Sequence, residues 1–254
     1  MQKNNRCIIV GGGSSVRENN WNIPVQNIPI WSILNNEASF SLNWSYMFYN
    51  PTIAIGADYQ FIITEKEKMN KLPMIVAIND SYYQRKGSIR PGENTFLINA
   101  SNAYHSEDSW KKGFYSKELC GIFAINFALR CGFDKIFCLG MDACEINGHT
   151  HFYDDNPEIG KHAWNGSERY GVGRDERGYY RSGVYNKPKE LNDTWYKPLE
   201  VEKDKVINVS LKSAINTFPK WSYEQFYQYL KDNPVQINQD ETRESIKQLI
   251  RKNL

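Results

Sequence analysis

A chain of 254 residues with 31 Lys plus Arg against 29 Asp plus Glu has a formal net charge of +2, which excludes a global field drawing it onto nucleic acid or anionic lipid. The length suits one large domain with a substantial core, and aromatic residues reach 14% of the composition. No apolar run approaches the about 18 residues of a membrane span and no charged-then-apolar leader opens the chain, so a cytoplasmic protein with no membrane partner is expected.

Residues 6–10 (Arg-Cys-Ile-Ile-Val) form a short apolar run that breaks at Gly11-Gly12-Gly13-Ser14-Ser15, the pattern of a buried strand entering a tight loop, with a helix expected near Val16. Residues 38–42 read as a second strand that ends at Asn43, and residues 51–58 as a third that ends at the Asp58 carboxylate. A helix is expected over 59–71, then strands over 73–78 and 95–98, then a polar loop through Ser109. The mostly apolar stretch 119–131 predicts a helix stopped by Gly132, which leads into a strand ending at Gly140-Met141-Asp142. A second strand and helix pair follows at 205–210 and 221–230.

This alternation predicts an α/β fold with a doubly wound, mostly parallel sheet of Rossmann-like form and right-handed crossovers. Residues 1–235 are expected to be a single nucleotide-binding domain. Residues 149–202, with six Tyr, two Trp and little apolar periodicity, read as an aromatic-rich insert serving as a lid or acceptor-binding segment. The charged stretch 236–254, with Ile246, Leu249 and Ile250, reads as a C-terminal helical tail that packs on the domain or joins a homo-oligomer. Five cysteines (Cys7, Cys120, Cys131, Cys138, Cys144) are odd in number and lack CxxC spacing, so buried reduced thiols are expected.

In open α/β sheets the ligand crevice lies outside the carboxyl ends of the strands, which makes Asn43, Asp58 and Asp142 candidate ligand contacts, with helix capping or turns as the alternative. Gly11, Gly12, Gly13 and Ser14 sit directly after the first strand, where bare backbone can close N–H groups on a phosphate. The loop matches neither GxxxxGK[ST] nor GxGxxG, and a purely structural turn is the other reading. His149 and His151, just before Asp154-Asp155, offer imidazole as a general base near neutral pH. The HxH spacing beside carboxylates leaves a divalent metal open, and exposed loop histidines are the third reading. Arg169, Arg174, Arg177 and Arg181, interleaved with Tyr170, Tyr179 and Tyr180 and downstream of Tyr153, offer guanidinium forks and stacking faces, Arg174 and Arg177 to a leaving group or an acceptor, or form a solvated charged loop.

In their order these motifs resemble the superfamily that joins the small bacterial sialyltransferases, the motility-accessory-factor glycosyltransferases and the hydroxymethylpterin pyrophosphokinase-like proteins. Residues 7–16 look like its opening strand and glycine-serine loop, Leu42-Asn43 like the Asn after its second strand, and 51–58 like its Pro, apolar strand, Asp element. Residues 120–129, then Gly132-Phe133-Asp134-Lys135-Ile136 and Gly140-Met141-Asp142, are similar to its helix, Gly-Phe turn and Gly-x-Asp strand end. Gly148-His149-Thr150-His151 resembles its Gly-x-x-His segment. The likeness spans residues 6 to 155; this chain has Cys120 where the sialyltransferases have Ser, and the insert after Asp155 has no counterpart.

The resemblance implies a GT-A-like sialyltransferase variant of the fold and a nucleotide-charged donor. Gly12, Gly13 and Ser14 would lie near its phosphates, Asn43 and Asp58 near the nucleotide and reacting centre, and Cys120 with Gly121 at a helix start facing it. The expected activity is transfer of a sugar from a nucleotide-sugar co-substrate to an acceptor hydroxyl, with His151 the first choice of base and His149 the second, and with Asp142 and Asp58 beside them. The acceptor stays open among glycan, protein, small molecule and modified nucleic-acid base. The alternatives are a Mg-dependent pyrophosphokinase-like phosphoryl transferase using Asp58, Asp142 or Asp154, and a nucleotide-binding module without chemistry.

Overall fold

The apolar run after Asn5 becomes strand β1 (Arg6–Val10), buried at all five positions, as an unbroken run of that kind requires of a central parallel strand. A computed structural model describes residues 5–17, 20, 22–56, 61, 72, 75–79, 94–116, 119–149, 151–156, 159 and 188–254. Within them the sheet continues with β2 (Ser39–Leu42), β3 (Ile53–Gly56), β4 (Ile75–Asn79), β5 (Thr95–Ser101), β6 (Phe114–Tyr115), β7 (Lys135–Leu139) and β8 (Val206–Asn208). The order is β6-β5-β4-β3-β2-β1-β7-β8, and each of these pairings is parallel. The chain thus steps outward from β1 to β6, then returns across the sheet to place β7 on the free side of β1. The two central strands β1 and β7 run in register from Arg6 opposite Lys135 to Val10 opposite Leu139, and the reversal of strand order falls between them.

Side chains alternating along each strand divide between two cores. Cys7 and Ile9 of β1, Phe40 and Leu42 of β2, and Ile136 and Cys138 of β7 face one. Ile8, Val10, Phe137 and Leu139 face the other. Helix α1 (Ile30–Leu34) covers the second core together with the aromatic turn at 44–49. After the short helix α2 (Ser109–Lys112), helix α3 (Cys120–Arg130) lies on the first core, buried from Ile122 to Leu129. Gly132, at φ +89, ends that helix in the left-handed region and lets the chain turn back into β7. Helix α4 (Tyr223–Asp232) returns to the second core through Tyr223, Phe226 and Leu230; its start is fixed by a reciprocal cap in which Ser222 and Gln225 each accept from the other's backbone N–H. All five cysteines are free thiols; Cys7 and Cys138 are buried in the first core, Cys120, Cys131 and Cys144 only partly buried, and desolvation pushes Cys7, Cys131 and Cys138 up from the ordinary thiol range.

The C-terminal helix α5 (Gln239–Asn253) docks Ile246 and Ile250 into the first core. Its polar face braces the amino-terminal edge of the sheet: Gln239 Nε2 donates to Glu37 O (2.8 Å) and Arg243 Nε to Thr52 O (3.1 Å). Nearby, the buried Arg6 guanidinium donates to Glu37 (Nε to Oε2, 2.8 Å) and to Asn233 O (2.6 Å), joining β1 to the turn before β2 and to the end of α4. These ties sit opposite the carboxyl ends of the strands and leave that other edge to the candidate site.

The helix expected near Val16 is a single 3-10 turn, Ser14–Val16, closed at Arg17, whose side chain is buried rather than continuing a surface helix. The strand expected at 95–98 runs on to Ser101, and the polar loop expected through Ser109 ends where α2 begins, with β6 following it. The segment 149–202 enters the cores at both ends, through Phe152 and Tyr153 at one and Leu191, Tyr196 and Leu199 at the other. Most of the expected 59–71 helix lies outside the described residues. No helix among the described residues is long and apolar enough to cross a membrane.

Candidate functional site

Two glycine-containing strand ends interlock where the strand order reverses. Gly11 N–H donates to Leu139 O (2.7 Å) and Gly13 N–H to Gly140 O (2.7 Å), so the loop after β1 lies along the loop after β7. Gly140 holds φ +62, and a Cβ there would stand 2.5 Å from Val16 Cγ2 and 2.9 Å from Gly11 O. Into this joint Asp142 projects its carboxylate, accepting from Ser15 N–H (2.8 Å) and Ser15 Oγ (2.5 Å). The amide end of the 3-10 turn, where a bound anion would be favoured, is thereby filled by a carboxylate of the chain itself. Asp142 is 2% exposed. Desolvation pushes its pKa up to about 6, against the opposing pull of the Ser15 hydrogen bonds, the His151 charge and the Ser210 hydroxyl.

The hydrogen bonds of Gly11, Gly13 and Ser15 make the loop a joint between β1 and β7. Gly13 has φ −63 and ψ 150, which alanine adopts freely. The cost of Gly13→Ala therefore comes from contact alone: a Cβ would meet Gly140 O at 2.6 Å and press on Asp142 Oδ2. We expect that variant to lose about 1–3 kcal/mol in urea unfolding. A Cβ at Gly12 meets only the outer atoms of two side chains, Tyr153 Oη (2.7 Å) and His151 Cδ2 (2.9 Å), so Gly12→Ala should cost less while displacing those rings. The reverse order of stabilities would rule out the joint.

Downstream of Asp142 the chain makes a two-residue hairpin. Ile146 and His149 exchange both backbone hydrogen bonds (2.9 and 3.1 Å), and Asn147 and Gly148 hold φ +54 and +83, as an Asn-Gly primed turn does. The hairpin returns the chain onto the glycine loop. Ser14 Oγ donates to His149 O (2.9 Å), Phe152 N–H donates to Gly12 O (3.0 Å), and Gly13 bridges His151 in antiparallel fashion. His149 thus meets the loop through its carbonyl, whereas the His151 ring stands over Gly12. Asp154 accepts the His151 N–H (3.0 Å) and sets Oδ1 3.6 Å from His151 Nδ1, an ion-pair distance too long for a hydrogen bond. The His151 ring stacks on Tyr153 (5.1 Å, 25°), which stacks on Phe48 (6.4 Å, 7°).

The other strand ends reach the same rim. Asn43, at φ +48, opens the 3-10 turn Asn43–Met47, and Ser45 Oγ in that turn donates to Gly11 O (3.1 Å). Cys120 Sγ lies 3.8 Å from Ile55 O of β3, so α3 begins at this edge. Its N-cap, Leu119, supplies no side-chain hydrogen bond and its first turn contains no acidic residue, so among the described residues no side chain compensates the positive end of the helix dipole. Gly121 lets Met141 and Tyr196 close on that end, since a Cβ would stand 2.6 Å from Met141 Cε and 3.3 Å from Tyr196 Oη.

Gly11, Gly12, Gly13, Ser14, Asn43, Cys120, Gly121, Asp142, His149, His151 and Tyr153 therefore share one edge. Asp58, Tyr170, Arg174 and Arg177 lie outside the described residues. Two residues that sequence reasoning missed belong to the edge. Tyr196 is 4% exposed, its hydroxyl takes no hydrogen bond among the described residues, and desolvation raises its pKa. Its apolar spacing with Leu191 and Leu199 was the available signal. Arg17 is buried and pairs with Asp155 (2.7 Å); an arginine one residue past an expected loop carries no such signal. Among the described residues, no group of three His, Cys, Asp or Glu side chains is placed to hold a metal ion. No family model matches the chain, and neither a curated protein nor a solved structure gives a significant match.

Proposed function

We propose that this edge binds a nucleotide-sugar donor and that the protein is a glycosyltransferase acting on an acceptor hydroxyl. One observation carries the proposal: an imidazole, His151, stands with its carboxylate neighbour Asp154 over the reversal point of a parallel sheet, where such folds hold ligands. Nε2, the ring nitrogen that does not face Asp154, is the proposed basic position. Nε2 would take the acceptor proton as the acceptor oxygen bonds to the sugar and the bond to the donor phosphate breaks. The first-turn amides of α3 and the Tyr196 hydroxyl suit the negative charge growing on that phosphate. Arg174 and Arg177 are proposed to add guanidinium charge as the aromatic segment closes over the bound donor.

On motif order, the fold is read as the GT-A-like sialyltransferase variant and the enzyme as cytoplasmic. Phosphoryl transfer from ATP to a small heterocycle, helped by Mg²⁺, is the second reading, and products separate the two: a sugar adduct with a nucleoside mono- or diphosphate, against AMP with a diphosphate ester. The first test is a thermal-shift screen over nucleotides and nucleotide sugars. A donor at a hundred times its Kd adds about 2.7 kcal/mol to stability. For a chain of this size that corresponds to a rise in Tm of roughly 5–10 °C. No shift with any nucleotide or nucleotide sugar at millimolar concentration ends the proposal.

A further inference from the structure

We propose that Arg17 is a positioning residue of this site: its guanidinium aims the turn formed by Phe152, Tyr153, Asp154 and Asp155 so that the His151 ring stands over Gly12. Arg17 is 1% exposed and directly follows the 3-10 turn of the glycine loop. Its Nη1 donates to Asp155 Oδ2 (2.7 Å) and reaches Phe152 O (3.5 Å), and its Nη2 donates to Ile23 O (2.6 Å). One planar cation thus joins the segment after the loop, the turn that contains Asp154, and the 20s segment.

Besides the Phe152 N–H bond to Gly12 O, two side-chain contacts hold that turn, and they differ in kind. Phe152 is fully buried against Trp31 (5.4 Å) and Phe48 (5.1 Å), which supplies adhesion but tolerates rotation about the buried ring. Arg17 offers a fork of fixed geometry that fits its acceptors in one orientation only. Without the fork the turn keeps the Phe152 ring and its backbone bond to Gly12 but loses the tie at Asp155, and His151 is one residue from the pivot. The carboxylate partner of Arg17 is 53% exposed, so deleting the cation lets Asp155 hydrate instead of stranding a buried charge.

The value of the positioning for catalysis rests on His151 being the base, whereas the positioning itself does not, and the test separates them. In Arg17→Met, amide exchange is expected to quicken by about tenfold or more at Phe152, whose N–H donates to Gly12 O, and at Asn156, whose N–H donates to Tyr153 O. Exchange at Ile8 and Val209, which donate to Ala38 O and Cys138 O within the sheet, is expected to stay unchanged. The ring-current shift that stacked Tyr153 imposes on the His151 ring protons should collapse in the same variant. Arg17→Lys, which keeps the cation and loses the fork, should restore part of both signals. Asp155→Asn, at an exposed side chain, should move them in the same direction by less, and keeps the test decisive if Arg17→Met does not fold.

Uniform quickening across the sheet, or unchanged Phe152 exchange and His151 ring shifts, overturns the proposal. With donor and acceptor in hand, kcat should fall in Arg17→Met while the donor KM holds. Quickened exchange with kcat unchanged upholds the positioning and removes His151 as the base.

Discussion

With His151 replaced by alanine, turnover is expected to fall by about 10²- to 10⁴-fold while the donor-induced rise in Tm persists. The substitution removes the ring and its stacking on Tyr153 but spares the bond that closes the turn, because Asp154 Oδ2 accepts from the backbone N–H of residue 151. Phe152 N–H still donates to Gly12 O, so the loop keeps its place on the joint. His149→Ala makes the matched control: its contact with Ser14 runs through the carbonyl and survives the change. Unchanged turnover in His151→Ala would remove the ring from the chemistry. A loss of donor binding equal to the loss of turnover would make it a donor contact instead.

The parallel sheet was legible because β1 and β7 are apolar on both faces and stop at glycine, and because a strand buried on both sides admits little else. Asn43 and Asp142 could be placed on one edge for the same reason, since parallel strands all end at one side. What the glycines do there was not legible. The neighbours of Gly13 are Gly140 and Asp142, which reach it only once β7 pairs with β1, and no spacing within residues 11–15 encodes that contact. The loop therefore looks like an open phosphate cradle in sequence, whereas the Ser15 amide is occupied by Asp142 in the fold. Arg17 escaped for a related reason: it is charged in a polar stretch and becomes buried only through long-range packing, whereas Tyr196 carried an apolar spacing with Leu191 and Leu199 but nothing that placed it at the site. The C-terminal stretch, charged enough to read as a tail, supplies Ile246, Ile250, Gln239 and Arg243 to the body of the domain.

Burial of Asp142 at the joint also predicts how stability changes with acidity. Its folded pKa of about 6 lies above the 3.8 of an ordinary Asp, so the folded protein binds this proton more tightly than the unfolded chain does. The stabilising contribution is fully present below pH 4 and is lost as pH rises through about 6. At 1.36 kcal/mol per pKa unit, a shift of that size corresponds to about 3 kcal/mol. Asp142→Asn removes the titration while keeping the shape: the amide oxygen can accept from Ser15 N–H, and the amide nitrogen can donate to Ser15 Oγ once that hydroxyl turns its proton away. Urea unfolding at pH 4 and pH 7 should therefore show the wild type losing about 2.5 kcal/mol more than the variant across the interval. If both proteins lose the same amount, Asp142 is ionised in the fold at both pH values and the joint is held by a full charge. A ligand phosphate could then approach the Ser15 amide only against that charge, which would shift the donor phosphates toward the amino end of α3, where no side chain among the described residues caps the helix.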